Sequence, residues 1–273
     1  MKWICSLSIL LLCLHHTQAQ DVRYNSIELD WGIGNLMRQD MTLSPFIHRD
    51  WSPVNIYLHY TRSKKLEHQV TLRFSTFNPM PGAPYELSSF YNGTLNTLPH
   101  SFKLVDFDYA LGKELVHSAK WSFMAGGKSR NFLYASDYYF GESGPSPITI
   151  SLGLDLWLKA VYRMNEKNYV ESGLSIPLFS YVYRNPYLSQ DDEYFEVIYE
   201  HNGWKELGRR IEQGKWRSWG NAQRVEFNVH YGYVINQTWE LGLGYLFSVN
   251  LNQNPTPFTQ VENLFLIGGK LNF

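Results

Sequence analysis

From Ser26 onward, apolar and polar residues alternate with a period of two in one segment after another. Ile27, Leu29, Trp31 and Ile33 oppose Glu28, Asp30, Gly32 and Gly34. The clearest run is Ile148 to Tyr162, where Ile148, Ile150, Leu152, Leu154, Leu156 and Leu158 face away from Gly153, Asp155, Trp157 and Lys159. Alternation of this kind marks a strand with two different faces, whereas a helix would need a period of 3.6. The same reading gives ten strands, near 26–35, 54–61, 69–77, 102–111, 119–127, 148–162, 170–178, 223–233, 239–249 and 258–273. The last runs Val261, Asn263, Phe265, Ile267, Gly269, Leu271, Phe273 on one face and Glu262, Leu264, Leu266, Gly268, Lys270, Asn272 on the other.

The connections predict a phase. Long ones start near Met37, Asn78, Lys128, Tyr183 and Asn252; short ones start near Arg62, Gly112, Asn165 and Val234. Pro45 and Pro53 punctuate the first long one, and 131–140 reads as a possible extension of the fifth strand. Long alternating with short, over an even number of strands, is the rhythm of a transmembrane barrel with short periplasmic turns and long external loops. The expected fold is therefore all-β: an antiparallel up-and-down transmembrane barrel of about ten strands, within a range of eight to twelve. The largest loop is 183–220, in which 191–201 and 204–213 read as short helices, with Gly214 as a stop.

A soluble ligand-binding barrel also alternates, so composition has to decide. Charged residues make up 18% of the chain and aromatics 16%; soluble domains carry about 25% charged residues. The polar rows hold Asp30, Arg73, Asp106, Asp108, Asp155, Lys159, Arg163, Glu171, Arg224, Glu226, Glu240 and Lys270, too many charges for a soluble core. The apolar rows carry Leu and Val centrally and aromatics near their ends, as a membrane girdle does.

Lys2, the apolar run Ile4 to Leu14 and Thr17-Gln18-Ala19 read as a signal peptide over residues 1–19, cleaved after Ala19, with the barrel over 20–273. A lipoprotein anchored at Cys13 is the rival reading, weakened by Leu12 where a lipobox wants a small residue. Both cysteines, Cys5 and Cys13, fall inside the signal. A net charge of −1 and the absence of a basic run give no reason to expect nucleic acid. No stretch after the signal reaches 18 uninterrupted apolar residues, which excludes transmembrane helices.

The signal, the strand rhythm and an aromatic tail ending in Phe273 together resemble small outer-membrane barrels of Bacteroidota-type Gram-negative bacteria. The resemblance implies that Phe265, Ile267, Gly269, Leu271 and Phe273 are read by the outer-membrane insertion machinery. It carries no implication of one activity, since barrels of this class serve many purposes.

Three functions fit such a barrel. In the first, the chain is non-enzymatic and acts through its external loops in binding or complex formation. Within 183–220, Trp204, Trp216 and Trp219 lie among Lys205, Arg209, Arg210, Lys215 and Arg217. Trp stacks on sugars and Arg clusters attract phosphate, so lipopolysaccharide, a glycan or a protein partner suits the loop. The bland alternative is a loop folded over its own barrel mouth, its bases touching lipid head groups. In the second, the barrel is a hydrolase. Asp106 and Asp108 lie on one face of one strand, about 7 Å apart by backbone rise, and such a pair can activate water or bind a cation. Ten strands with inward acids and His230 resemble the omptin proteases, with one departure: His230 has Asn228 and Glu226 on its face rather than an Asp two residues away. The competing reading is that the acids neutralise Arg73, Arg163, Arg224 or Lys159 inside the lumen. A lipid hydrolase has weaker support, because His117-Ser118 is adjacent rather than spaced and no Gly-x-Ser-x-Gly elbow occurs. In the third, the barrel is a narrow passive pore. The histidines His48, His59, His68, His100, His117, His201 and His230 lack ligand spacing, and neither metal nor cofactor is expected.

Overall fold

The computed structural model describes residues 24–80, 82–83, 86–89, 93–139, 146–185, 196 and 203–273. The expected signal peptide and nearly all of the expected helix 191–201 lie outside them. The elements are β1 (Tyr24–Asp40), β2 (Ser44–Ser63), β3 (Glu67–Phe77), β4 (Glu86–Ser89), β5 (Gly93–Asn96), β6 (Ser101–His117), β7 (Trp121–Asp137), β8 (Ile148–Arg163), β9 (Asn168–Arg184), α1 (Gly203–Glu212), β10 (Lys215–Ser218), β11 (Ala222–Val234), β12 (Trp239–Asn252) and β13 (Phe258–Asn272).

Ten of these strands close into an antiparallel barrel. The order β9-β11-β12-β13-β1-β2-β3-β6-β7-β8 returns on itself through β8–β9 pairing. First and last strands meet along fifteen registered pairs from Ser26↔Asn272 to Asp40↔Phe258. Asn25 and Phe273 exchange both backbone hydrogen bonds, at 3.1 and 2.9 Å. The sheet closes on itself without a free edge strand, which is what allows it to sit in hydrocarbon.

The outer face confirms the alternation. Ile27, Leu29, Trp31 and Ile33 on β1, Phe107 and Leu111 on β6, Leu152 and Leu154 on β8, Leu241 and Leu243 on β12, and Phe265 and Ile267 on β13 are all exposed. A continuous apolar belt on a closed barrel is a lipid-facing surface. At the end bearing the short turns, Trp121 stacks on Phe123 (5.6 Å) and packs on Tyr162 (4.5 Å).

Two expected loops are strand instead. The segment from Met37 to Ser52 is expected as a loop, yet β1 and β2 run through it to a turn at residues 41–43. The two prolines do not break the hairpin because its register shifts where they fall, between Gly32 and Gly34 and between Arg38 and Asp40, and bulges tolerate a missing N–H. The loop expected from Lys128 is also absent: β7 continues from Trp121 to Asp137. The expected strand ends at Gly127, but the Gly126-Gly127 pair sits within the wall. Gly126 pairs with Gly112 of β6 and with Trp157 of β8, and the Trp157 indole lies over this bare stretch. A Cβ on Gly112 would meet that ring at 2.5 Å. The large loops lie at the opposite end from the short turns, and residues 78–100 carry the small β4–β5 hairpin.

Gly112→Val is expected to lower the folded fraction several-fold, read as heat-modifiable migration of the detergent-extracted protein. Adding Trp157→Ala should restore part of the loss, because the clash is with that ring.

Candidate functional site

The lumen is filled along its length by side chains that pair across it. Arg73 of β3 holds Asp106 of β6 at 3.0 Å and makes a close contact to Glu262 of β13. Arg224 of β11 reaches over to the same Asp106 with two bonds, 3.0 and 2.8 Å. Next to this knot, Lys128 bridges Asp108 (2.9 Å) and Glu226 (3.1 Å), while Arg130 joins Asp155 (3.2 Å) and Glu226 (3.3 Å). Towards the short-turn end, Lys159 spans Glu67 and Glu171, both at 2.9 Å. His59 meets Asp30 (3.5 Å), His230 meets Glu28 (3.3 Å), and Lys270 meets Glu240 (3.4 Å). Buried charge is costly unless it is paired; here Arg73–Glu262, Arg224–Asp106, Lys128–Glu226, Arg130–Glu226, Lys159–Glu67 and His230–Glu28 reach across to non-neighbouring strands, and the other pairs join neighbouring strands.

The loop end is closed differently. The Arg38 guanidinium lies over Phe102 (4.8 Å) and Phe258 (5.0 Å) and shares the Asp40 carboxylate with Arg184. The His48 ring meets His100 at 4.6 Å and Tyr138 at 5.4 Å, edge to face. Burial lowers His100, just ahead of β6, below the usual imidazole range. Below them Leu36, Phe77, Leu104, Tyr134, Leu246 and Leu264 form an apolar plug inside the barrel.

Against this frame the candidate catalytic residues separate. Asp106 is engaged by Arg73 and Arg224, and Asp108 by Lys128. Two of these three cations, Arg73 and Arg224, were legible as inward residues. Lys128 was not, because the sequence reading ends the strand at Gly127. Extending the period through Lys128, Arg130, Phe132 and Tyr134 recovers it. His230 lies six residues along β11 from Arg224, about 20 Å away along the strand, where it pairs with Glu28. The structure does not bring it to the aspartates. Among the described residues, no group of three or more His, Cys, Asp or Glu has metal-holding geometry.

The candidate loop residues also separate. The helix expected at 204–213 forms as α1, ending at Glu212 before Gly214. Arg210 is buried, bonded to Glu206 (2.6 Å) and lying over the Tyr183 ring (5.9 Å). Tyr183 pairs with outward-facing Ile150, and Tyr181 with Leu152, so α1 packs on the outside of the wall. The Tyr181 hydroxyl donates to the Ile211 carbonyl at 2.5 Å. Arg209 is exposed and pairs with Glu212 at 3.1 Å. Strand β10 pairs with the upper part of β9, Trp216↔Tyr181 and Arg217↔Ser180. Period two therefore turns Trp216 outward with Tyr181, and turns Lys215 and Arg217 to the side of Val182 and Ser180. Trp204 (87% exposed), Trp216 and Trp219 remain exposed.

No protein-family model matches the chain, and no curated protein matches it in sequence. Its shape does have counterparts. The outer membrane protease OmpT from Escherichia coli superposes with a TM-score of 0.52 at 8% identity, over 95% of this chain and all of that one. The chain has the fold of an outer-membrane β-barrel. The Bordetella autotransporter BrkA beta domain (TM-score 0.41, 8% identity, 93% of this chain and 100% of that one) and Neisserial surface protein A (0.37, 9%, 91% and 97%) are looser matches.

Replacing Arg224 by Met is expected to destabilise the barrel by about 3–5 kcal/mol, the cost of breaking a buried pair. Combining it with Asp106→Leu should cost less than the sum of the two single changes. Urea unfolding of the four proteins in detergent measures the coupling, and additivity would show that the pair is not one unit.

Proposed function

We propose that the chain is an integral outer-membrane barrel, not a pore or an enzyme, that binds at its external face, and that α1 and β10 engage anionic outer-leaflet lipid such as lipopolysaccharide. The loop end is then the external end, and the aromatic run to Phe273 is read by the insertion machinery. The carrying observation is the placement of α1 on the lipid side of the wall, with exposed tryptophans continuous with the apolar belt. Trp216 packs on Phe179 (5.8 Å) and Tyr181 (5.4 Å), and Phe179 pairs with Leu154 of the belt. On α1, Trp204, Leu207 and Ile211 recur at helical spacing along one edge, while Lys205 and Arg209 lie on another. An apolar edge beside bases is the arrangement of an interfacial helix, and Trp prefers the head-group level.

The paired lumen supports the non-enzymatic reading. Both Asp106 oxygens accept from the guanidiniums of Arg73 and Arg224, which leaves neither placed to take a proton from an attacking water. Side chains paired across the whole lumen likewise oppose a pore.

Each base near an anionic surface contributes about 1 kcal/mol. Lys205→Gln with Arg209→Gln should therefore weaken lipopolysaccharide binding roughly thirtyfold, and Trp204→Ser with Trp216→Ser should weaken it further. Lipopolysaccharide-induced thermal stabilisation of the purified barrel reads this. Unchanged half-saturation in both variants would refute the lipid assignment, and retained capture of a glycan or protein by them would move the binding site elsewhere.

A further inference from the structure

The wall has one interrupted seam. Strands β9 and β11 are registered from Asn168↔Tyr233 to Ser175↔Glu226, and there the ladder stops. On the loop side of the break, β9 pairs instead with β10, beginning at Phe179↔Ser218. Residues 219–225 on one side thus oppose only 176–178 on the other. Leu178 is the extra residue of a bulge, since Leu154 pairs with Phe179 and Asp155 with Pro177. Pro177 has no N–H to lend to either neighbour.

A cavity of about 30 Å³ abuts this break. Pro177, Ser180 and Val182 line it from β9, and Ala222, Gln223 and Arg224 from β11. Arg130, Arg184 and Asp155 complete its charged lining, three guanidiniums to one carboxylate. The Nε atoms of Arg184 and Arg224 are buried without a hydrogen-bond partner, on residues only 7% and 6% exposed. Outside the same break, Leu178, Phe179, Trp219 and Phe227 are exposed.

We propose that this seam is a side entrance for a single-chain amphiphile with a carboxylate head, whose head enters the basic cavity while its alkyl tail stays against the apolar belt. The volume matches one carboxylate or a couple of waters. A carboxylate supplies charge-assisted bonds to guanidinium N–H groups that otherwise lack an acceptor. A bulge with unpaired backbone opens the wall at that point, and lipid-facing residues on its rim suit a tail rather than a soluble ligand. This site is independent of α1, and its test leaves α1 untouched.

The test is photolabelling of the purified full barrel in detergent with a diazirine-bearing dodecanoate, followed by peptide mass spectrometry. Labelling concentrated at 176–182 and 219–225 is expected. Unlabelled dodecanoate should compete, and dodecanol and acetate should not. Ala222→Trp fills the cavity without removing a charge and should cut labelling at least tenfold; Ser180→Phe is a second filling variant should the first misfold. Labelling spread evenly around the belt, competition by dodecanol or acetate equal to that by dodecanoate, or labelling untouched by a folded filling variant would overturn the proposal.

Discussion

Charge inside a closed barrel must find its partner within the lumen, on the neighbouring strand or across it, and that constraint organises this structure. The wall is built by neighbours: each strand is registered with the strand beside it. The interior is built by residues far apart in the chain. Arg73 and Glu262 are separated by 189 residues, Arg184 and Asp40 by 144, and Arg224 and Asp106 by 118. Such pairs add little net stability over apolar packing, because desolvation offsets the attraction. Their weight lies in specificity: a register slip of one residue would turn every charge in a strand towards lipid.

The same constraint divides inside from outside. With the charges committed inward, the outer face is left apolar and lipid-facing. The loop end closes over Arg38, His48 and their aromatic neighbours. Among the described residues, α1, β10 and the broken β9–β11 seam lie outside this network, on the rim and the outer wall. Two properties of that seam have one cause. Pro177 and the bulge at Leu178 interrupt the ladder, and β10 then occupies the place beside β9 that β11 leaves.

Much of the fold was legible because period two is a local signal, and ten alternating runs place ten strands. The strand ends were less so. Pro45 and Pro53 read as loop, since proline's usual meaning is a break; a bulge is a tertiary accommodation that the sequence does not announce. The expected strand ended at Gly127, and only the fold shows the chain running on, with Gly126 set against Gly112 of β6 where a Cβ would meet the Leu111 carbonyl. Losing that strand extension hid Lys128 and Arg130, two of the central cations. Asp106 and Asp108 were visible as inward acids, but which bases meet them depends on how the barrel closes. The Trp- and Arg-rich loop was visible as composition, and its division into a buried Arg210, an outward Trp216 and an inward-turned Arg217 follows from β10 pairing with β9, a contact no local pattern specifies.

The central claim is that side chains paired across the lumen seal this barrel and leave its outer surface to act. Single-channel recording of the purified protein in planar bilayers tests it most directly. The paired lumen predicts a silent membrane for the wild-type barrel. Discrete, sustained conductance steps from the folded protein would contradict the account.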